Sequence, residues 1–431
     1  MSARHTHTAT LGAGFAVALL TASAPAWAGI DGEQGTSFAI TAREGYISTP
    51  DGGSIYSWGY TTGAAMQLPG PTLLVTEGDT VTITLTNALP LAAGNVSIVF
   101  PGLEATAAGG AAGSLTREAT TGGTVTYQFV ASKPGTYQYH SGTRPDLQVE
   151  MGLYGAIIVE PAAPAAACAA LGQSSAYNHD GTCFDREYLF LLSEIDLDVH
   201  QAVEAQAHGS TPITLGEGPF FPDYWLLNGR LAPDTLAAAG RDILPNQPYA
   251  ASAFMHPGDK VLARVVGAGR DPHPFHFHGN HVRVLAEDGS VIVSQSDPTR
   301  LAGPKLYTIP SNPGSTVDAL FEWTGEGLGW DMYGHAATDA LEPGEWAADH
   351  GKALPVDLPN SADLTFGGFY SGSPFLGAMG ALPPGEGGLN PDAGFAYMWH
   401  SHTEREIVNN DVFPGGMMTM MIVLPPSVDI P

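Results

Sequence analysis

Cysteine is nearly absent. Among 431 residues only Cys168 and Cys183 occur, which excludes a disulfide-dense scaffold and a cage of several metal thiolates. The two bracket a polar, Gly-containing segment that a disulfide would close; a pair of metal thiolates is the alternative, although neither lies near a histidine cluster. Basic residues are scarce too: 16 Lys and Arg face 43 Asp and Glu, a formal charge of −27. Nucleic acid and anionic membrane surfaces, which require a basic face, are therefore not expected partners. Long apolar runs are also missing. The stretch from Met1 to Ala28 carries a positive Arg4, an apolar Leu11 to Leu20 and a small-residue Ala26-Trp27-Ala28 site. That pattern is a secretory signal, too short in its apolar part to cross about 30 Å of hydrocarbon. A mature chain starting near Gly29, periplasmic or secreted, is the expectation.

Helical periodicity is weak, and only Ile195 to Ala207 suggests a short helix. Gly 54 and Pro 34 instead suit many short strands joined by turns. Ile40 to Tyr60 alternates and is broken by the hairpin signal Pro50-Asp51-Gly52-Gly53. Thr80 to Asn87, Val125 to Phe129 and Tyr154 to Val159 continue the strand pattern, together the size of a Greek-key sandwich. A Pro/Ala-rich stretch from Pro161 to Ala170 follows, and strand signals resume at Tyr188 to Ile195, Tyr224 to Asn228 and Val261 to Val266. Glu77-Gly78-Asp79 and Gly258-Asp259-Lys260 each precede a strand and then a histidine motif, as duplication would produce. The expected architecture is all-β, with tandem Greek-key β-sandwiches over 29–160 and 187–431. Residues 161–186 form a linker with the disulfide loop, and 321–391 an insertion rich in Gly, Trp and Pro.

Histidine supplies the chemistry. His273-Pro274-Phe275-His276-Phe277-His278 and His400-Ser401-His402 each contain an alternating pair, and residues two apart on a strand share a face. His140 ends a further strand-like segment, Gly135 to Tyr139. A lone histidine is usually a core or surface residue with satisfied hydrogen bonds; two alternating pairs and a strand end are harder to account for without a metal. Imidazole suits copper, zinc, iron and nickel alike. His281, His335 and His350 are read as structural, and Trp323, Trp330 and Trp346 as packing or an entrance.

Pro69-Gly70-Pro71-Thr72, Glu77-Gly78-Asp79, Tyr139-His140-Ser141, Gly152 to Ala156, His273 to His278 and Trp399 to His402 resemble, in order, the landmarks of the multicopper oxidase family. The resemblance covers nearly the whole mature chain and implies copper and tandem cupredoxin-like Greek-key β-sandwiches. It also implies departures. Ser401 stands where the family's type 1 copper has its cysteine, and a hydroxyl cannot replace a soft thiolate. Glu406 stands at that copper's second histidine; His273 remains, and Met417 or Met418 matches the axial position. Three trinuclear-site ligands are replaced by Val99, Pro101 and Gly142, leaving His140, His276, His278, His400 and His402, enough for one ion or two. The smaller replacements suggest a vacated pocket beside the metal.

The expected function is a copper-dependent oxidase or oxygenase acting on a small organic molecule, with O2 as a possible partner and Glu406 as a catalytic or metal-binding carboxylate. An exported copper-binding protein or scaffold of the same fold is the competing reading. The spacing resembles the two-domain oxidases, which implies a homotrimer in which His140 of one subunit meets the histidine pairs of its neighbour.

Overall fold

The computed structural model describes residues 30–216, 218–324, 338–341, 372–375, 394–424 and 428–431. The expected signal segment, most of the 321–391 insertion, and His335, His350, Trp330 and Trp346 lie outside the described residues.

The first sandwich grows from short alternating segments. Its strands are β1 (Glu33–Gln34), β2 (Ser37–Ser48), β3 (Ser54–Thr61), β4 (Leu73–Thr76), β5 (Thr80–Asn87), β6 (Thr106–Gly109), β7 (Thr124–Val130), β8 (Gly135–His140) and β9 (Tyr154–Glu160). A five-stranded sheet in the order β3-β2-β5-β7-β6 faces a four-stranded sheet in the order β1-β4-β9-β8. Along β5, Val81, Ile83 and Leu85 are buried while the intervening threonines point outward. Each such aliphatic contributes roughly 1.5–3 kcal/mol when fully buried.

The second sandwich comprises β10 (Arg186–Ile195), β11 (Tyr224–Leu227), β12 (Ala253–Met255), β13 (Lys260–Gly267), β14 (His273–Phe277), β15 (Val282–Glu287), β16 (Ser290–Val291), β17 (Thr308–Ser311), β18 (Thr316–Glu322), β19 (Gly372–Phe375), β20 (Gly394–Ser401) and β21 (Met418–Val423). One sheet runs β11-β10-β13-β18-β15-β16 and the other β12-β21-β20-β14-β17, with β19 also paired to β20. Phe190, Phe275, Phe277, Phe321, Tyr397 and Trp399 fill the space between them. The tandem β-sandwich architecture is the one expected, and Cys168 and Cys183 form the expected disulfide.

An apolar seam joins the sandwiches, with Leu68, Tyr154 and Ala156 against Leu191, Leu226 and Val266. Beside it Arg264, almost fully buried, meets Glu187 at 2.8 Å and Asp318 at 3.4 Å and donates to Thr136 Oγ1 of the first sandwich at 3.1 Å. Helix Leu197–Ala207 lies where the sequence suggests, capped by Asp196, whose Oδ1 accepts from the amides of Asp198 and Val199. Only its first residue, Leu197, touches the seam cluster; the rest turns back from the sandwich that follows it in sequence. Val203 and Ala207 enter the first core, and the ring nitrogens of the buried His200 lie 2.6 Å from Tyr56 O and 3.1 Å from Glu150 O.

Candidate metal centre

Strands β14 and β20 are antiparallel neighbours in a register that pairs Phe275 with Ser401, His276 with His400 and Phe277 with Trp399. Alternation then sorts the side chains by parity. His273, Phe275 and Phe277 of β14, with Tyr397, Trp399 and Ser401 of β20, face the buried core. His276, His278, His400 and His402 share the opposite face. Cross-strand partners on one face stand about 4.5–5.5 Å apart at Cβ, and the imidazoles converge accordingly.

His276, His278 and His400 each bring a ring nitrogen within 4.8 Å of the other two. His278 Nε2 and His400 Nε2 are 3.2 Å apart; nitrogens sharing one ion, each at about 2.0–2.1 Å, stand about 3 Å apart. His402 borders this trio, its ring centroid 4.7 Å from that of His276, and is half exposed, with Nδ1 3.7 Å from Glu404. The Nδ1 atoms already have partners. His276 Nδ1 lies 2.7 Å from Thr308 Oγ1, opposite it on β17, and His400 Nδ1 donates to the carbonyl of Ser401 at 2.6 Å. Both rings therefore offer Nε2. Burial, reinforced by the neighbouring histidines, holds the pKa of His276 down to about 4. Burial likewise lowers His400 to about 4, against the pull of the Ser401 carbonyl. Neutral rings with free lone pairs are the form a transition metal binds. The donor set fits copper.

His140 sits apart. It ends β8 at the edge of its sheet, exchanges backbone hydrogen bonds with Val99, and donates Nδ1–H to Ser141 O at 3.0 Å. Among the described residues it makes no contact with the four histidines of the second sandwich. Burial lowers its pKa, opposed by that carbonyl.

His273 and Glu406 differ from expectation. His273 and His276 are three positions apart, so on a strand they face opposite sides. His273 is fully buried, with Nδ1 2.9 Å from Glu406 Oε2 and Nε2 2.8 Å from Glu194 Oε2. With each ring nitrogen donating a proton to a carboxylate, no lone pair remains for a metal. Burial alone would depress its pKa, but the hydrogen bonds to Glu194 and Glu406 outweigh it and raise the value to about 9. Glu406 Oε2 also accepts from Ser401 Oγ. It faces the core, away from the metal-binding face, and is no acid–base group for chemistry there. Ser401, His273 and Glu406, which the resemblance aligns with a type 1 copper, instead form a buried hydrogen-bonded cluster with Glu194. Met417, one of the two axial candidates, is buried in the second core. The vacated pocket is also corrected at one position, because a Cβ at Gly142 would lie 2.6 Å from Val99 Cγ1.

Glu194 and Thr308 were not singled out from sequence. The signal for Glu194 is a carboxylate inside the apolar run Leu189-Phe190-Leu191-Leu192-Ser193-Glu194-Ile195. Thr308 carries no local signal, since only strand pairing brings it to His276.

Residues 54–164 match the multicopper oxidase family. The L-ascorbate oxidase of Cucurbita pepo var. melopepo is 34% identical over 182 residues, 41% of this chain and 29% of that protein. Laccase 1 of Metarhizium acridum is 37% identical over 105 residues, 24% of this chain and 16% of that protein. The aligned stretches span less than a third of either relative. Among solved structures, a blue copper oxidase from Nitrosomonas europaea is 20% identical, covering 90% of this chain and 86% of that one, with a TM-score of 0.54. A copper nitrite reductase from Nitrosomonas europaea is 16% identical, covering 93% and 98%, with a TM-score of 0.50. At such identities these two show the fold. The first sandwich thus matches the multicopper oxidase family, and the chain as a whole has the tandem cupredoxin-like fold, with a partial histidine site and no free cysteine for a type 1 copper.

Proposed function

We propose that this protein is a copper-dependent oxidoreductase, an oxidase or oxygenase, acting on a small organic substrate at a mononuclear or dinuclear copper site without a type 1 electron-transfer copper. The observation that carries the reading is the convergence of His276, His278 and His400 on one sheet face, beside the half-exposed His402. Bound copper would supply one-electron redox chemistry and, with O2, oxygen activation. The chain's own residues hold the donors. Thr308 and the Ser401 carbonyl fix the ring orientation of His276 and His400, and the exposed Tyr307, its ring 5.7 Å from that of His276, borders the approach to them. With Ser401 in place of a thiolate, the substrate reacts at the histidine site directly.

The reading extends to assembly. His140 pairs through its backbone with Val99, two residues before the exposed Pro101, and Gly142 just beyond it lies beside the exposed Leu115, so a second copy can cover this surface. We assign it to the histidine cluster of a neighbouring subunit in a homotrimer, exported to the periplasm or the medium; light scattering that finds a monomer overturns this part.

The test is metal content per chain on protein produced with copper, read with electron paramagnetic resonance and visible spectra. One or two coppers without intense blue absorption are expected, and His276→Ala should abolish stoichiometric binding. Absence of copper after reconstitution transfers the reading to a non-catalytic scaffold or another metal. A finer prediction concerns Thr308→Val, which should weaken copper affinity about 10–100-fold in competition with a chromophoric chelator.

A further inference from the structure

A cavity of about 410 Å³ lies along the seam between the sandwiches, away from the histidine face. Its walls come from the Pro69–Thr72 loop of the first sandwich, from β10, and from the segments around Ala237–Ala239 and Ala250–Phe254. None of the histidines lines it, and β12 on its border is the far edge strand of the sheet that carries β14 and β20. Its size falls within the roughly 300–1,000 Å³ of small-molecule sites, which favour domain seams.

The walls are held open. Ala237, Ala238, Ala250 and Ala251 present only methyl groups, and Arg230 fixes the backbone of Ala237 and Ala238 and of the Gln247–Pro248 segment that leads into Ala250. That fully buried guanidinium donates to the carbonyls of Ala237 at 2.6 Å, Gln247 at 2.8 Å, Pro248 at 3.0 Å and Ala238 at 3.3 Å. The hydroxyl oxygens of the two tyrosines at the cavity are bonded to the scaffold. Tyr188 donates to Phe254 O at 2.7 Å, and Tyr249 accepts from Thr72 N at 2.8 Å and Gln67 Nε2 at 3.1 Å. The rings are left as apolar surfaces. One polar atom has no protein partner: Ser252 Oγ, on a residue only 9% exposed, lines the cavity without a hydrogen bond. A buried hydroxyl left without a hydrogen bond costs about 1–3 kcal/mol. A ligand that reaches it recovers that cost.

Charge narrows the class. The lining includes the carboxylates of Asp31 and Glu187, the latter paired with Arg264, and no Lys, Arg or His. We propose that this cavity is a binding site for a neutral, mainly apolar small molecule with one hydrogen-bonding group directed at Ser252. The site is independent of the copper centre.

The test uses the whole protein and the neutral fluorophore N-phenyl-1-naphthylamine, whose single N–H can donate to Ser252 Oγ. Saturable binding of one probe per chain is expected, and the sulfonated analogue 1-anilinonaphthalene-8-sulfonate should bind at least tenfold more weakly. Ala238→Trp, at the exposed rim, should weaken the neutral probe at least tenfold; Ala237→Phe is the second filling variant should the first misfold by circular dichroism. Ser252→Ala should weaken N-phenyl-1-naphthylamine several-fold and leave naphthalene, which lacks a donor, unchanged. His276→Ala should bind the probe as the parent does, which keeps the outcome separate from that of the copper assignment. Absence of saturable binding, or binding indifferent to both filling variants, overturns the proposal. Equal binding of the sulfonated analogue overturns the neutral-ligand class.

Discussion

His273→Ala is expected to lower the unfolding free energy by about 3–5 kcal/mol, the usual cost of removing one partner from a buried ionic group. The loss arises because Glu194 and Glu406 remain in the core without the imidazolium between them. Urea denaturation at neutral pH measures it, and a change under about 1 kcal/mol, the scale of a surface pair, would contradict a charged triad. The parent protein should also show a pH signature that the variant lacks. The folded pKa of His273 is raised to about 9 from an unfolded value near 6.5. Its stabilisation is therefore complete below about pH 6.5 and is lost as pH rises through 9. The shift corresponds to roughly 3 kcal/mol. Parallel pH–stability curves for parent and His273→Ala across that interval would show that the ring is neutral in the folded protein.

Arg264→Ala is expected to cost a similar 3–5 kcal/mol, for a different structural reason. Arg264 is 1% exposed and sits where three segments meet: Glu187 on β10, Asp318 on β18 and Thr136 on β8 of the other sandwich. Asp318 also accepts from Thr136 Oγ1 at 2.6 Å and from Tyr177. Truncating the arginine strands two carboxylates and loosens the contact between sandwiches. Arg264→Lys should recover only part of the loss, because one ammonium cannot reproduce a guanidinium fork. Thermal unfolding of both variants decides the matter; full recovery with lysine would mean that charge alone, not the fork, is needed.

The sandwiches were readable because strand periodicity is local. Thr80 to Asn87 announces its inward face through Val81, Ile83 and Leu85, and the structure places the strand over the same residues. The grouping of His276, His278, His400 and His402 follows from the same rule of two, applied to strands that pair. The rule also puts His273 on the opposite face from His276, among the buried core residues. The partners were not readable in the same way. Glu194 lies 79 residues from His273, and Thr308 lies 32 from His276. Such contacts depend on sheet order, which no local pattern encodes. The same holds for Gly142, whose lost side chain looks like empty space until Val99 is seen to fill it.

Helix Leu197–Ala207 belongs by sequence to the second half and by packing to the first, with His200 wedged between Tyr56 and Glu150. Recombination near Pro161, after the last strand of the first sandwich, would part Val203 and Ala207 from the core they complete. The two sandwiches are therefore not exchangeable cassettes. A lineage that borrowed the histidine-bearing half would have to carry a borrowed plug for someone else's core, so the pair is expected to be inherited, and to diverge, as one genetic unit.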